Sequence, residues 1–124
     1  MGFRQIAQLA MAQHKAFSLL GYGGWLAIIV LSVLPADERP HTGYGGFYEH
    51  FVAYAMVAGC LALAYQGRKL IYLFVALVAG SGLLELAQQF IPGRTCELEG
   101  VTSALAGVIT AALAVNLLRR FFPQ

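Results

Sequence analysis

Charged residues are scarce in this sequence, and their scarcity excludes an ordinary soluble domain. Only 11% of the 124 residues are Asp, Glu, Lys or Arg, whereas 59% are hydrophobic, and the mean hydropathy is +0.68. Soluble globular domains usually contain about 25% charged residues. The composition therefore predicts a protein that lies in a membrane.

Cysteines and clusters of basic residues are also few. The net charge of +2 comes from basic residues that are dispersed along the chain and form no stripe, which argues against a nucleic-acid-binding protein. Of the two cysteines, we expect Cys60 near the middle of a membrane helix and Cys96 in an outer loop. Because this places them more than about 10 Å apart, we expect no disulfide between them.

Long apolar stretches dominate what is present. Four of them have spanning length: Ala16–Leu34, Phe47–Tyr65, Leu70–Ile91 and Val101–Leu118. Each is close to the roughly 20 residues that a hydrocarbon core about 30 Å thick requires. The short connections leave no room for a soluble domain, so the sequence predicts a single all-α domain over residues 1–124, a bundle of four transmembrane helices. The first stretch has a poor cleavage site, and we expect it to remain as a helix.

The charges sort to opposite sides when the chain is threaded back and forth through a membrane. Six basic residues fall on one side: Arg4, Lys15, Arg68, Lys69, Arg119 and Arg120. All six acidic residues fall on the other side or in the helix halves nearest to it: Asp37, Glu38, Glu49, Glu85, Glu97 and Glu99. By the positive-inside rule, both termini are expected in the cytoplasm. Whatever chemistry the acids perform is then expected at the outer face.

A polar group opens the second stretch, and an acid lies in the third. Glu49 and His50 are followed one helical turn later by Tyr54, so His50 and Tyr54 share a helix face. Glu85 lies roughly 10 Å below the end of its helix, where an ionisable side chain needs a partner. We expect Glu85 and His50 to lie within hydrogen-bonding reach, directly or through one water.

The polar residues continue to the end of the third stretch with Gln88 and Arg94. Together with Glu85 and His50 they offer groups that bind a polar head group, and Arg94 offers a fork for phosphate or carboxylate. A histidine beside carboxylates could instead move protons. The cluster could also serve only to hold the helices together, but charges inside membranes favour a functional interpretation.

Catalysis has weaker support in the sequence. Ser81 and Ser103 are candidate nucleophiles, but nothing fixes either beside His50. His50 is the one strong metal ligand of the group, and its spacing matches no standard motif. We therefore expect no catalytic residue, no metal and no cofactor.

Local patterns predict how the helices pack. The short turn at residues 66–69 predicts that the second and third spans are antiparallel neighbours. Small residues four apart predict close helix contacts at Ala55 and Gly59, at Ala76 and Gly80, and at Ser103, Gly107 and Ala111. Residues 1–15 indicate either a short helix on the inner surface or a frayed lead-in. His14 and His41 are expected at the surface without a role.

Three short motifs occur in a fixed order along the chain. Leu34-Pro35 ends the first span, Glu49–Tyr54 reads Glu-His-Phe-Val-Ala-Tyr, and Glu85–Arg94 reads Glu-Leu-Ala-Gln-Gln-Phe-Ile-Pro-Gly-Arg. Together they resemble the VanZ-like family of small multi-helix bacterial membrane proteins, over roughly residues 31–107. The resemblance implies a place in the bacterial inner (cytoplasmic) membrane. The family's namesake is associated with low-level teicoplanin resistance, and no biochemical activity comes with the name.

The sequence departs from the family pattern in two places. Gly46 and Phe47 stand where the family usually has Asp-Lys, and Glu99 and Ser103 stand where it usually has an Asp and, four residues on, an Asn. Glu99 keeps the charge on a longer side chain, whereas Ser103 loses the amide. The resemblance carries over Glu49, His50, Tyr54, Glu85, Gln88 and Arg94 as site residues, with Glu99 and Ser103 as altered members.

Two functional hypotheses follow. The first is a non-enzymatic envelope protein that binds a lipid-linked or polar ligand at the outer leaflet, with membrane lipids as its partners and no nucleic acid. Its ligand-binding residues would be Glu49, His50, Tyr54, Glu85, Gln88, Arg94 and Glu99. The alternative is a small accessory subunit of a larger membrane protein complex, in which the polar cluster is structural. A third interpretation, a membrane enzyme acting on a lipid, lacks a convincing nucleophile or metal site.

Overall fold

The structure is a computed structural model that describes residues 1–40, 42–95 and 98–122. These residues form four α-helices: α1 (Phe3–Val33), α2 (Gly46–Ala64), α3 (Gly67–Gln88) and α4 (Glu99–Phe121). All four are long and apolar enough to cross a membrane. The all-α prediction is therefore confirmed, and each predicted span overlaps one helix, as expected for a multi-pass membrane protein.

The first helix is longer than its predicted span. Residues 1–15 form neither a separate surface helix nor a frayed lead-in, because α1 runs without a break over 31 residues. No glycine or proline interrupts residues 3–20, and alanine, leucine, glutamine, methionine and lysine in that segment all favour helix. At 1.5 Å per residue the helix is about 46 Å long, well beyond a hydrocarbon core of about 30 Å.

Helices α2 and α4 form the central pair of the bundle, with α1 packed on α2 and α3 packed mainly on α4. Tyr54, Leu61, Leu77 and Ala104 are fully or almost fully buried at its centre. Helices α2 and α3 are joined by a short turn and contact each other as antiparallel neighbours, as predicted, but α3 makes more of its contacts with α4.

Small residues bring α4 against α2. Ser103, Gly107 and Ala111 are buried along one face of α4, as their spacing predicts. A Cβ atom at position 107 would lie 2.7 Å from the carbonyl oxygen of Phe51, so only glycine permits this approach. The corresponding prediction for α2 fails at Gly59, where an added Cβ would meet nothing within 4 Å.

Charge divides the bundle into two ends. The acidic end contains the C-termini of α1 and α3 and the N-termini of α2 and α4, with the described acidic residues Asp37, Glu38, Glu49, Glu85 and Glu99. The basic end contains the opposite helix termini, with Arg68, Lys69, Arg119 and Arg120. The helix order thus places the described acidic residues at one end and these four basic residues at the other, as predicted, while Arg39 and Arg94 lie at the acidic end.

Side chains from other helices cap α2 at the basic end. His14 Nδ1 lies 2.9 Å from the carbonyl oxygen of Ala64, and because a carbonyl only accepts, the ring N–H is the donor. Arg119 donates to the carbonyl oxygens of Ala62 and Tyr65. The last carbonyls of a helix lack intrahelical partners, so these donors satisfy them. His14, expected to have no role, therefore links α1 to α2.

Candidate functional site

Glu49 fastens the loop between α1 and α2 to the acidic end. Arg39 Nη2 donates to Glu49 Oε2 at 2.8 Å. The amide N–H and the hydroxyl of Thr42 donate to Glu49 Oε1 at 3.0 and 2.8 Å. The Arg39 and Glu49 side chains are only 18% and 12% exposed. Glu49 lies in the first turn of α2, where the helix dipole favours an acid, so it is positioned to hold this loop.

Gln88 and Arg94 connect the end of α3 to the end of α1. Gln88 Nε2 donates to the Ser32 carbonyl oxygen at 3.0 Å. Arg94 donates from Nε to the Leu34 carbonyl oxygen at 3.0 Å and from Nη2 to the Leu31 carbonyl oxygen at 2.8 Å. A cation at a helix C-terminus is favourable. Both residues, predicted as ligand-binding, thus also cap α1.

Glu85 lies against the first turn of α4. Its side chain is 8% exposed, and a Cβ atom at position 100 would overlap its carboxylate oxygen, so Gly100 makes the space that the carboxylate occupies. Negative charge is favourable at a helix N-terminus. The carboxylate also interacts electrostatically with the Tyr54 phenol and the Arg94 guanidinium.

Beside these contacts lies a small, partly open polar cavity at the acidic end, with a volume of about 210 Å³. Among the predicted site residues, it is lined by His50, Glu85, Gln88, Arg94 and Glu99. The other lining residues are Ala36, Arg39, Gly46, Gly93, Thr95 and Gly100. The cavity therefore lies where α2, α3, α4 and the loop after α1 meet. Glu85 and His50 face the same cavity, and their hydrogen bond stays a prediction.

The remaining predicted residues lie beside or beneath the polar cavity. Tyr54 is 2% exposed, in the core between α2 and α4. Ser103 is fully buried, and its hydroxyl donates to the Gly100 carbonyl oxygen at 3.0 Å. Glu49 lies on the far side of Arg39, outside the cavity lining. Cys96, Glu97 and His41 fall outside the described residues, so the predictions for them have no structural counterpart.

A larger apolar groove runs between α1 and α2, beneath the loop that Glu49 holds. Its volume is about 730 Å³. Leu31, Val52 and Met56 are among the apolar residues that line it. Arg39 and His50 line both the groove and the polar cavity, so the two spaces adjoin at these side chains. The sequence does not predict this groove.

Both signs of charge are present at the polar cavity. Burial and the nearby Arg39 lower the pKa of Arg94 from its usual value, while the Glu85 carboxylate raises it. A guanidinium titrates so far above neutrality that Arg94 stays cationic. The His50 ring interacts electrostatically with Arg39, Glu49 and Arg94. The arrangement can therefore bind a group that carries negative and positive charge together.

Arg39 and Gly100 also line the polar cavity, and neither was predicted as a site residue from the sequence. Arg39 is the one basic residue in the loop 35–46, and an acid at the start of the next helix is a natural partner. The Arg39–Glu49 ion pair could have been predicted by matching the one basic residue of the loop with the acid that follows it. Gly100 carries no comparable signal, since its role depends on where Glu85 lies in space.

Within the described ranges, no three His, Cys, Asp or Glu side chains are grouped so as to hold a metal ion. Compared with known proteins, the chain matches no family model, no curated protein and no solved structure. The resemblance to the VanZ-like family therefore depends on the motifs themselves.

Proposed function

We propose that this chain is a VanZ-like protein of the bacterial inner membrane that binds the polar head group of an envelope ligand at the outer leaflet, without catalysis. The observation that carries the proposal is the polar cavity. It gathers His50, Glu85, Gln88, Arg94 and Glu99 from three helices and a loop. Charged groups are costly in a membrane protein and by default mark functional sites.

The proposed orientation follows from the two ends of the bundle. Arg68, Lys69, Arg119 and Arg120 cluster at the basic end, and basic residues favour the cytoplasmic side. Both termini would then be cytoplasmic, and the polar cavity would open at the level of the outer leaflet. A lipid-linked ligand diffusing in that leaflet would reach it laterally.

Binding is proposed rather than catalysis because the candidate nucleophiles point elsewhere. The Ser81 hydroxyl donates to the Val78 carbonyl oxygen at 2.6 Å, and the Ser103 hydroxyl donates to the Gly100 carbonyl oxygen. Each hydroxyl is thus engaged with the backbone of its own helix. A nucleophile needs a neighbouring base instead.

Gentle purification from the native membrane, followed by native mass spectrometry, tests this function. We expect the chain to carry a bound lipid or lipid-linked molecule, and Glu85→Gln to lose it. Glu38→Gln is the matched control, because Glu38 is exposed in the same end of the bundle and does not line the cavity. A chain that carries nothing in its wild-type form would contradict the proposal.

The N-terminal part of α1 favours a second candidate function, that of an accessory subunit. Since His14 lies level with the end of α2, the residues before it extend about 16 Å further. Phe3, Ile6, Leu9 and Met11 are all exposed there. If they dock on a partner, the same purification yields a stoichiometric protein complex, and replacing Phe3 and Ile6 with serine releases the partner.

A further inference from the structure

The apolar groove and the polar cavity form two adjoining parts of one surface. Leu31, Val52 and Met56 line the groove alone, whereas Arg39 and His50 line both spaces. A ligand that occupies both must be an amphiphile, with its hydrocarbon chain between α1 and α2 and its head group beyond Arg39. The loop residues Arg39 and Thr42, which Glu49 holds, line the groove.

Charges of both signs lie along the two spaces. Arg39 and the imidazole of His50 lie at their junction, and Arg39 is paired there with Glu49, which lines the groove. The carboxylates of Glu85 and Glu99 and the guanidinium of Arg94 line only the cavity. Charge complementarity therefore favours a head group that carries both charges. In a phospholipid whose chain lies in the groove, the anionic phosphate is the group nearer to the chain.

The type of cationic group follows from the lining. Quaternary ammonium groups are recognised by cages of aromatic rings. The described lining of the polar cavity contains no Phe, Tyr or Trp, and it contains two carboxylates. Carboxylates accept charge-assisted hydrogen bonds, which a primary ammonium donates and a quaternary ammonium cannot.

We infer that the ligand is an aminophospholipid, a lipid whose phosphate is followed by a primary ammonium, with one hydrocarbon chain in the apolar groove. The phosphate lies at Arg39 and His50, and the ammonium lies at Glu85 and Glu99. The inference rests on the proposed function and narrows it to one class of ligand.

The test uses the full chain purified in detergent and exchanged into micelles doped with equal amounts of phosphatidylethanolamine, phosphatidylcholine and phosphatidylglycerol. Native mass spectrometry measures which lipid each molecule retains. A separate incubation contains phosphoethanolamine, the same head group without chains. We expect retention of phosphatidylethanolamine at least tenfold above the other two lipids, and weak binding of phosphoethanolamine alone.

Two pairs of variants locate the two parts of the ligand. Leu31→Trp fills the groove, and Leu83→Trp makes the same change on an exposed position of α3 outside both spaces. Glu99→Gln removes a carboxylate from the exposed rim of the polar cavity, and Glu38→Gln removes one from the neighbouring loop. We expect Leu31→Trp and Glu99→Gln each to reduce lipid retention about tenfold. For Glu99→Gln this is the loss expected for one charge-assisted hydrogen bond. The controls Leu83→Trp and Glu38→Gln should retain lipid as the wild-type chain does.

The outcomes separate this inference from the proposed function. Equal retention of the three lipids, or equal losses within either pair of variants, would overturn the aminophospholipid assignment while a head-group site remained. Phosphoethanolamine binding as tightly as the whole lipid would overturn the role of the groove. Retention of no lipid and no head group would overturn the proposed function itself.

Discussion

Both ends of the bundle have a helix C-terminus whose carbonyl oxygens need hydrogen-bond donors, but the two ends differ in the space around those donors. At both ends, side chains from elsewhere in the fold cap a helix C-terminus: Gln88 and Arg94 cap α1 at the acidic end, and His14 and Arg119 cap α2 at the basic end. Unsatisfied carbonyls are costly where water is excluded. The cross-helix caps therefore serve the fold wherever they occur.

What differs is the space that remains after capping. At the basic end α2 and α3 are joined through Tyr65 and Gln66, and Lys69 Nζ lies 4.0 Å from the centre of the Tyr65 ring. At the acidic end, longer connections and Gly100 leave a cavity that Glu85 enters. Capping residues therefore also line a cavity at the acidic end, where the backbone leaves room for one.

The largest expected effect on stability is at Gly100, at the acidic end of the bundle. In Gly100→Ala the new methyl group overlaps the Glu85 carboxylate, which must shift from its place, so we expect destabilisation of about 1–3 kcal/mol from overpacking. The control is Gly82→Ala, whose new Cβ would meet its nearest neighbour, Val101 Cγ2, at 3.9 Å. Unfolding in mixed micelles measures both. Equal stability of the two variants would show that Glu85 does not depend on this space.

Lysine substitutions at Arg94 and Arg119 compare the two caps directly. Each keeps the positive charge and loses the guanidinium fork, so we expect a loss of about 1 kcal/mol in the free energy of unfolding at either end. Only Arg94→Lys should also weaken lipid retention, because only Arg94 lines the polar cavity. If both variants retained lipid equally well, Arg94 would be a cap and nothing more.

A smaller stability effect is expected for Glu85→Gln, which keeps the shape of the side chain. Interhelical hydrogen bonds in membranes average only about 0.6 kcal/mol, so the free energy of unfolding should fall by less than about 1 kcal/mol. Lipid retention should fall much more, because the charge is lost. A variant that unfolds readily yet retains lipid would indicate that Glu85 acts as scaffolding.

The orientation of the two ends can be tested with no effect on stability. In a chain whose Cys60 and Cys96 are replaced by alanine, Glu38→Cys places a thiol at the acidic end and Arg68→Cys places one at the basic end. A membrane-impermeant reagent added to intact cells should label position 38 and not position 68. The reverse pattern would invert the proposed topology.

The fold was largely predictable because each helix has a clear signal in its own stretch of sequence. Apolar stretches of spanning length fixed the helix count, and the small residues Ser103, Gly107 and Ala111 predicted the buried face of α4. The sparse contact between α2 and α3 was not predictable, since a short turn determines direction and leaves open which of several apolar faces packs best. The role of His14 was also missed, because its acceptor lies 50 residues away along the chain.

The candidate site was predictable in composition but not in arrangement. Costly polar residues in apolar helices identified His50, Glu85 and Gln88, Arg94 was identified just beyond the third span, and the antiparallel order indicated that they would meet. Their hydrogen-bond partners were not predictable, because Gln88 and Arg94 donate to backbone carbonyls, which every sequence contains. Arg39 was missed for a related reason: its position depends on how the loop folds over Glu49.

The sequence by itself determined that the chain is helical, that it has four apolar helices, and that its acidic residues lie toward one end and most of its basic residues toward the other. Those properties depend on composition and periodicity, which any segment carries with it. Only the tertiary structure decided that a polar cavity adjoins an apolar groove at Arg39 and His50, and that Gly100 makes room for Glu85. Cavities depend on the packing distances between helices, and these are set jointly by residues far apart in the chain.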